Sequence, residues 1–142
     1  MNVIIVDTSS WISYFNDDFR ESHADVDLAL KEGRVYLPPI VAAELLSSRL
    51  KTSERARLID FLKELPLCEI SFDHWSRVGE LRARLAAKEL EISTPDAHVA
   101  QCAIDLGGYL LSEDGVFKKV SSVASLRILE PGKNSSGTSE RS

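Results

Sequence analysis

Short runs of aliphatic residues alternate with longer stretches in which apolar residues recur every three or four positions. The short runs predict buried strands, and the longer stretches predict amphipathic helices. We predict strands at residues 2–6, 34–37, 67–70, 109–112 and 126–129. We predict helices at residues 9–16, 21–32, 39–50, 53–64, 73–90 and from 94 to the glycine pair at 107–108.

Strands that are separated by helices predict an α/β fold. The expected architecture is a single doubly wound domain, with a parallel sheet of about five strands and helices on both faces. Right-handed crossover connections restrict the topology to a few arrangements. We place this domain at residues 1–130. Residues 131–142, "PGKNSSGTSERS", contain no apolar side chain to bury and predict a disordered polar tail.

Composition changes this picture in two ways. Acidic residues outnumber basic residues by 22 to 17, so the net charge of −5 argues against a protein that coats nucleic acid by bulk charge. An enzyme with an acidic site that cations neutralise is still compatible with this charge. No signal peptide or membrane-spanning run is evident, and we predict that Cys68 and Cys102 are buried free thiols. A cytoplasmic location fits these features.

Four carboxylates fall at matching positions of the predicted fold. Asp7 and Asp114 follow predicted strands, Glu44 lies near the start of the helix after the second strand, and Asp96 lies in the first turn of its helix. In doubly wound folds, ligands bind beyond the carboxyl ends of the strands. All four acids are therefore expected at the edge of the sheet where ligands bind.

Each acid also has a simpler explanation. Asp96 could stabilise its helix by about 0.3–1 kcal/mol through its interaction with the helix dipole, and Asp114 could belong to a turn. Glu44 could be a solvated helix residue, and Asp7 a helix cap. The coincidence of all four favours a shared site. Two carboxylates about 6 Å apart repel by roughly 3 kcal/mol at an effective dielectric of about 20, and Mg²⁺ or Mn²⁺ would relieve that repulsion.

The segments "VDTSSWI", "AAEL", "TPDAHVAQCA" and "LLSEDGVF" together resemble the acidic motifs of PIN-domain ribonucleases. Their order and spacing are similar to those of VapC-like toxins from bacterial and archaeal toxin–antitoxin pairs. The resemblance spans residues 1–129. It implies a metal-dependent endoribonuclease that hydrolyses RNA phosphodiester bonds with a metal-activated water, and it implies a neutralising antitoxin protein and a homodimer.

The resemblance also implies roles for single residues. Asp7, Asp96 and Asp114 would be the ligands of Mg²⁺, or alternatively Mn²⁺. Glu44 would complete the catalytic set by orienting the attacking water or a second ion. Ser9 and Ser112 would hold the carboxylates through their hydroxyls. The family more often has threonine where this chain has Ser112. The chemistry does not require the three histidines, His23, His74 and His98.

Other interpretations stay open. A signalling receiver or an aspartyl-phosphate phosphatase would share the fold, but Ser9 stands where a phosphatase has a second aspartate. A PIN-fold RNA-processing nuclease that is not a toxin, or a catalytically silent PIN-like binding domain, is a closer alternative. The apolar stripe of Trp11, Ile12 and Phe15 is either core or part of a partner groove. Eight basic residues are either solvated or bind RNA phosphates: Arg49, Lys51, Arg55, Arg57, Arg77, Arg82, Arg84 and Lys88.

Overall fold

The computed structural model describes residues 2–16 and 23–129. Four strands are present in this part of the chain: β1 (Ile4–Val6), β2 (Val35–Tyr36), β3 (Tyr109–Leu111) and β4 (Arg127–Leu129). The helices are α1 (Thr8–Asn16), α2 (Ala24–Lys31), α3 (Pro39–Leu46), α4 (Thr52–Lys63), α5 (Phe72–Ala86), α6 (Thr94–Asp105) and α7 (Val116–Val120). The predicted tail, and the predicted start of the second helix at residues 21–22, lie outside the described residues.

The four strands form one parallel sheet in the order β2-β1-β3-β4. Ile4 of β1 pairs with Val35 on one side and with Tyr109 on the other, so β1 is a central strand. Ile5 and Val6 are completely buried, as expected for a strand covered on both faces. The predicted α/β class with a parallel sheet is confirmed, with one strand fewer than expected.

The predicted strand at residues 67–70 is wrong. Only an isolated parallel bridge joins Leu67 to Leu37 there. Pro38 and Pro39 follow immediately, and because proline lacks an N–H group, the ladder cannot extend from Leu37. Leu67 is itself 60% exposed, so its apolar side chain does not mark a buried strand.

Two helices are shorter than predicted, and one was missed. The helix from residue 39 ends at Leu46 rather than residue 50, and α5 ends at Ala86 rather than residue 90. A turn closes α5, in which Glu89 has φ 61° and the N–H of Leu90 donates to the carbonyl of Leu85. Helix α7 spans only Val116–Val120 and is too short to show a helical period in the sequence.

The glycine pair Gly107-Gly108 allows the start of β3 to lie close to Val3, the residue before β1. Gly107 has φ 63°, which favours glycine after the last turn of α6. A Cβ atom on Gly108 would clash with the carbonyl group of Val3. The close approach is at the start of both strands, and their register then pairs Val6 with Leu111 at the ends, where two of the predicted site acids follow.

The core includes Trp11 and Phe117, together with both free cysteines, whose burial confirms the prediction for them. None of the helices in the described ranges is both long and apolar enough to cross a membrane.

Candidate active site

Four carboxylates line one cleft of about 420 Å³ at the carboxyl edge of the sheet. We call this the acidic cleft and define it by Asp7, Glu44, Asp96 and Asp114. The structure thus brings together the four acids that the sequence singled out, although it leaves their chemical roles as predictions. No lysine or arginine is among the residues that line this cleft in the described part of the chain. None of the described lining residues therefore neutralises the cleft.

Asp7 is the most firmly held of the four. It follows β1 and is only 6% exposed. Its Oδ1 accepts a hydrogen bond of 2.9 Å from the N–H of Ser10 and a longer one of 3.4 Å from the hydroxyl of Ser9. Its Oδ2 accepts a hydrogen bond from the hydroxyl of Ser112. Donors from the start of α1 and the end of β3 thus fix the orientation of this carboxylate.

Ser112 connects two of the acids. Its side chain is buried, and its hydroxyl donates to Asp7 while accepting a 3.0 Å hydrogen bond from the N–H of Asp114. The carboxylate of Asp114 in turn accepts from the N–H of Val116 at 3.0 Å, which closes a turn into α7. The hydroxyls of Ser9 and Ser112 both contact the Asp7 carboxylate, and their role in holding a metal ligand stays a prediction.

Asp96 lies in the first turn of α6. Ser93 precedes that helix as its N-cap, and its hydroxyl accepts a 3.2 Å hydrogen bond from the N–H of Asp96. Burial raises the pKa of the Asp96 carboxyl above its usual value, and the negative charges of Asp114, Glu44 and Asp7 raise it further, although the bond to Ser93 opposes the shift. The four carboxylates are thus close enough to repel one another.

Glu44 is exposed on α3. Its Oε1 accepts a hydrogen bond from the hydroxyl of Thr8, which lines the cleft beside Asp7. Sequence reasoning did not assign a role to Thr8. The only signal for it was its place in the hydroxyl-rich segment directly after Asp7.

A second polar cluster lies between α5 and α6, and it was also missed. The Nδ1 of His74 lies 3.1 Å from Oδ2 of Asp105, which also accepts from Arg77 at 2.9 Å. The Nε2 of His74 lies 2.8 Å from Nδ1 of His98, whose Nε2 lies 3.9 Å from the sulfur of Cys102. Burial and the neighbouring His74 lower the pKa of His98 to about 4, so its imidazole is neutral at physiological pH.

This cluster is distinct from the acidic cleft. Three potential metal-ligand atoms lie within 4.8 Å of one another, one each from His74, His98 and Cys102. This spacing is compatible with a soft metal ion. The two rings, however, bond directly to each other, and all three side chains are buried. We therefore interpret the cluster as a hydrogen-bonded link between α5 and α6. Its Arg77 is a structural cation, paired with Asp105.

The apolar stripe of α1 is divided between core and surface. Trp11 is completely buried and stacks on Phe15 with 5.6 Å between ring centroids. Phe15 and Ile12 remain 43% and 45% exposed. Ile12 also lines the acidic cleft. The core interpretation thus applies to Trp11, whereas the partner-groove interpretation stays a prediction for Ile12 and Phe15.

Comparisons with known proteins agree with this geometry. The profile of the PIN domain family matches residues 4–123. Ribonuclease VapC11 of Mycobacterium tuberculosis and VapC ribonuclease Mb1587 of Mycobacterium bovis are each 26% identical over 129 residues, which covers 88% of this chain and 96% of either relative.

Solved structures show the same fold at low sequence identity. The crystal structure of VapBC2 from Rickettsia felis, bound to a DNA fragment from its promoter, has a chain with a TM-score of 0.75 and 24% identity, covering 91% of this chain and 98% of that one. A chain of the DNA-bound VapBC from Salmonella typhimurium has a TM-score of 0.72 and 19% identity, covering 92% and 98%.

Proposed function

The chain belongs to the PIN domain family, and from that premise we propose that it is a metal-dependent endoribonuclease, the toxin of a VapBC-like toxin–antitoxin pair. The observation that carries the proposal is the acidic cleft, in which four carboxylates gather and no lysine or arginine is among the described lining residues. The relatives named as VapC ribonucleases support RNA as the substrate. Hydrolysis of phosphodiester bonds is the reaction class that we assign.

The donors of the acidic cleft fit a hard divalent cation. All of the charged groups among its described lining residues are carboxylates, and Thr8 and Ser9, which carry hydroxyls, also line it. Oxygen donors of this kind suit Mg²⁺ and Mn²⁺. Burial is the main cause of the raised pKa of Asp96, and the charges of Asp114, Glu44 and Asp7 add to it, which supports a cation that would offset their repulsion. We assign Asp7, Asp96 and Asp114 as the ligands.

The catalytic roles follow from how each side chain is held. When bound, the ion lowers the pKa of a coordinated water and neutralises charge on the phosphate oxygens. The hydrogen bonds to Asp7 fix its carboxylate before any ligand binds. Glu44 is exposed to the cleft, and Thr8 occupies its Oε1, so its Oε2 can accept a proton from the attacking water. Ser9 and Ser112 orient the Asp7 carboxylate.

An antitoxin partner follows from the proposed toxicity, since an unrestrained ribonuclease would damage the RNA of its own cell. The structural neighbours were solved as VapBC assemblies, which supports a partner protein here. Ile12 and Phe15 leave an apolar surface beside the acidic cleft that such a partner could cover. We also propose a homodimer and a cytoplasmic location.

The direct test is RNA cleavage by the purified protein after removal of any partner. We expect cleavage with Mg²⁺ or Mn²⁺ and none in chelator, because the four carboxylates require a cation before they can accept a phosphate. Activity in excess chelator would contradict the metal-dependent mechanism. Cleavage without slowed growth on expression would favour an RNA-processing nuclease that is not a toxin, and complete inactivity would favour a silent binding domain.

Ser112→Ala is expected to reduce cleavage by roughly 10- to 100-fold, the usual cost of losing a residue that orients a metal ligand. The change removes the donor to Asp7 and the acceptor for the N–H of Asp114. Ser112→Thr is the matched control, because it keeps the hydroxyl and adds only a methyl group. Steady-state rates at several Mg²⁺ concentrations measure both variants. Equal rates for Ser112→Ala and the wild type would exclude this orienting role.

A further inference from the structure

A second cleft, of about 770 Å³, is connected to the acidic cleft by hydrogen bonds between their lining residues. We call it the flanking cleft; α5, α7 and the segment before α6 form it, and Arg82, Ser93, Val116 and Lys119 are among its lining residues. The hydroxyl of Ser93 accepts from the N–H of Asp96, and the N–H of Val116 donates to Asp114. Two residues of the flanking cleft therefore bond directly to residues of the acidic cleft.

The flanking cleft is lined by two cations, whereas the described residues that line the acidic cleft include none. Arg82 donates through Nε to the carbonyl of Ile92 at 3.0 Å, and Lys119 donates through Nζ to the carbonyl of Glu91 at 3.2 Å. These bonds bring both cationic groups to the same short segment. They leave the terminal nitrogens of the guanidinium, and the other ammonium hydrogens, available as donors to a ligand.

The charges around these two residues favour an anion. The lining includes one acid, Glu91, which is exposed, against the two cations. Arg84 and Lys88 bond instead to the carbonyls of Val123 and Ser122, on the adjoining turn. Because the whole chain has a net charge of −5, an RNA backbone would be attracted locally rather than by the overall charge.

We propose that the flanking cleft binds the phosphodiester backbone of single-stranded RNA next to the bond that the acidic cleft cleaves. Arg82 and Lys119 are the positioning residues, and their cations hold phosphates that the acidic cleft alone would repel. This inference rests on the proposed ribonuclease function. It adds a site for the strand outside the four carboxylates.

The test compares Arg82→Gln and Lys119→Gln with Arg34→Gln. Arg34 is a matched control, because it also bonds a main-chain carbonyl, that of Asn2, but lies before β2 at the opposite end of the sheet. Binding of a labelled single-stranded RNA is measured by fluorescence anisotropy at several salt concentrations. The Asp7→Asn background prevents cleavage during the measurement. Rates are measured separately, with an intact Asp7.

Each cleft variant should weaken binding by roughly three- to tenfold and reduce the salt slope by about 0.7, as expected for one lost phosphate contact on a single strand. In the rate assay, KM should rise while kcat is retained. Arg82→Lys should restore the salt slope, which would separate lost charge from a disturbed segment at residues 91–92. Arg34→Gln should bind like the parent.

Two results would overturn the proposal. In the first, both cleft variants bind RNA as well as Arg34→Gln does, and the wild type cleaves RNA. The ribonuclease function would then stand without this site. The second is unchanged RNA binding combined with weakened binding of an antitoxin, which would assign the cleft to a protein partner. A wild type that neither binds nor cleaves RNA would refute the ribonuclease function itself.

Discussion

Asp96→Asn should reduce RNA cleavage on the order of a thousandfold and also make the metal-free protein more stable. The loss of rate follows from removing a proposed metal ligand, since a bound cation is worth several kcal/mol to the reaction and each 1.36 kcal/mol is tenfold in rate. The gain in stability follows from the raised pKa of Asp96, because its ionised form opposes folding at neutral pH. Growth arrest on expression should disappear with the activity.

The pH dependence has a definite sign. A carboxyl whose pKa is raised by folding contributes stability at low pH, and that contribution is lost as the pH rises through the folded-state pKa. The difference in melting temperature between Asp96→Asn and the wild type should therefore be largest at neutral pH and shrink as the pH falls toward the ordinary range of an aspartate. Mg²⁺ or Mn²⁺ should raise the melting temperature of the wild type much more than that of the variant.

Glu113→Gln is the matched control, because Glu113 is an exposed acid adjacent to Asp114 that does not line the acidic cleft. It should leave both cleavage and the metal-induced stabilisation in place. If Asp96 served only its helix dipole, Asp96→Asn would instead cost about 0.3–1 kcal/mol and leave cleavage intact. That result would exclude Asp96 as a metal ligand of the acidic cleft.

The sequence was informative where local pattern and topology act together. The aliphatic runs of β1 and β3 are completely or largely buried, so their composition alone predicts buried strands. A parallel sheet then places the residues after those strands at one edge. The sequence alone could therefore place Asp7 and Asp114 at the same edge of the sheet. Residues 67–70 include the apolar Leu67 and Ile70, but the prolines after Leu37 prevent a longer pairing, and the composition of this segment does not reveal that.

Long-range contacts account for the features that were missed. The bond between His74 and His98 joins residues on different helices, and no spacing rule brings these two rings together. The same applies to the hydroxyl of Thr8 and the carboxylate of Glu44, which are 36 residues apart. Packing of α5 on α6 and of α1 beside α3 creates these contacts, so they could be identified only from the folded chain.

The buried histidines also alter how the mechanism should be tested. Replacing all three histidines together would be a clean chemical test only if they were exposed, but all three are at least 96% buried, and two of them link α5 to α6. Their loss is expected to cost stability. The chemistry is better determined from the products than from this triple variant.

The products of cleavage should carry a 5′-phosphate and a 3′-hydroxyl. Ribonucleases that use the 2′-hydroxyl of the substrate as nucleophile leave a cyclic phosphate, and they usually need histidines as acid and base. The histidines of this chain are buried and none of them lines the acidic cleft, as far as the described residues extend. Carboxylates and a cation favour attack by water instead.

Two measurements distinguish these mechanisms. The product ends can be identified by mass spectrometry, and a substrate with a 2′-methoxy group at the cleaved bond tests whether the 2′-hydroxyl is required. Because water is the expected nucleophile, the methoxy substrate should be cleaved with a kcat close to that of unmodified RNA, and any loss should appear in KM. A 2′,3′-cyclic phosphate, or complete resistance of the methoxy substrate despite normal binding, would show that water is not the nucleophile. Glu44 would then have no water to deprotonate, and the roles of Asp7, Asp96 and Asp114 would have to be reassigned.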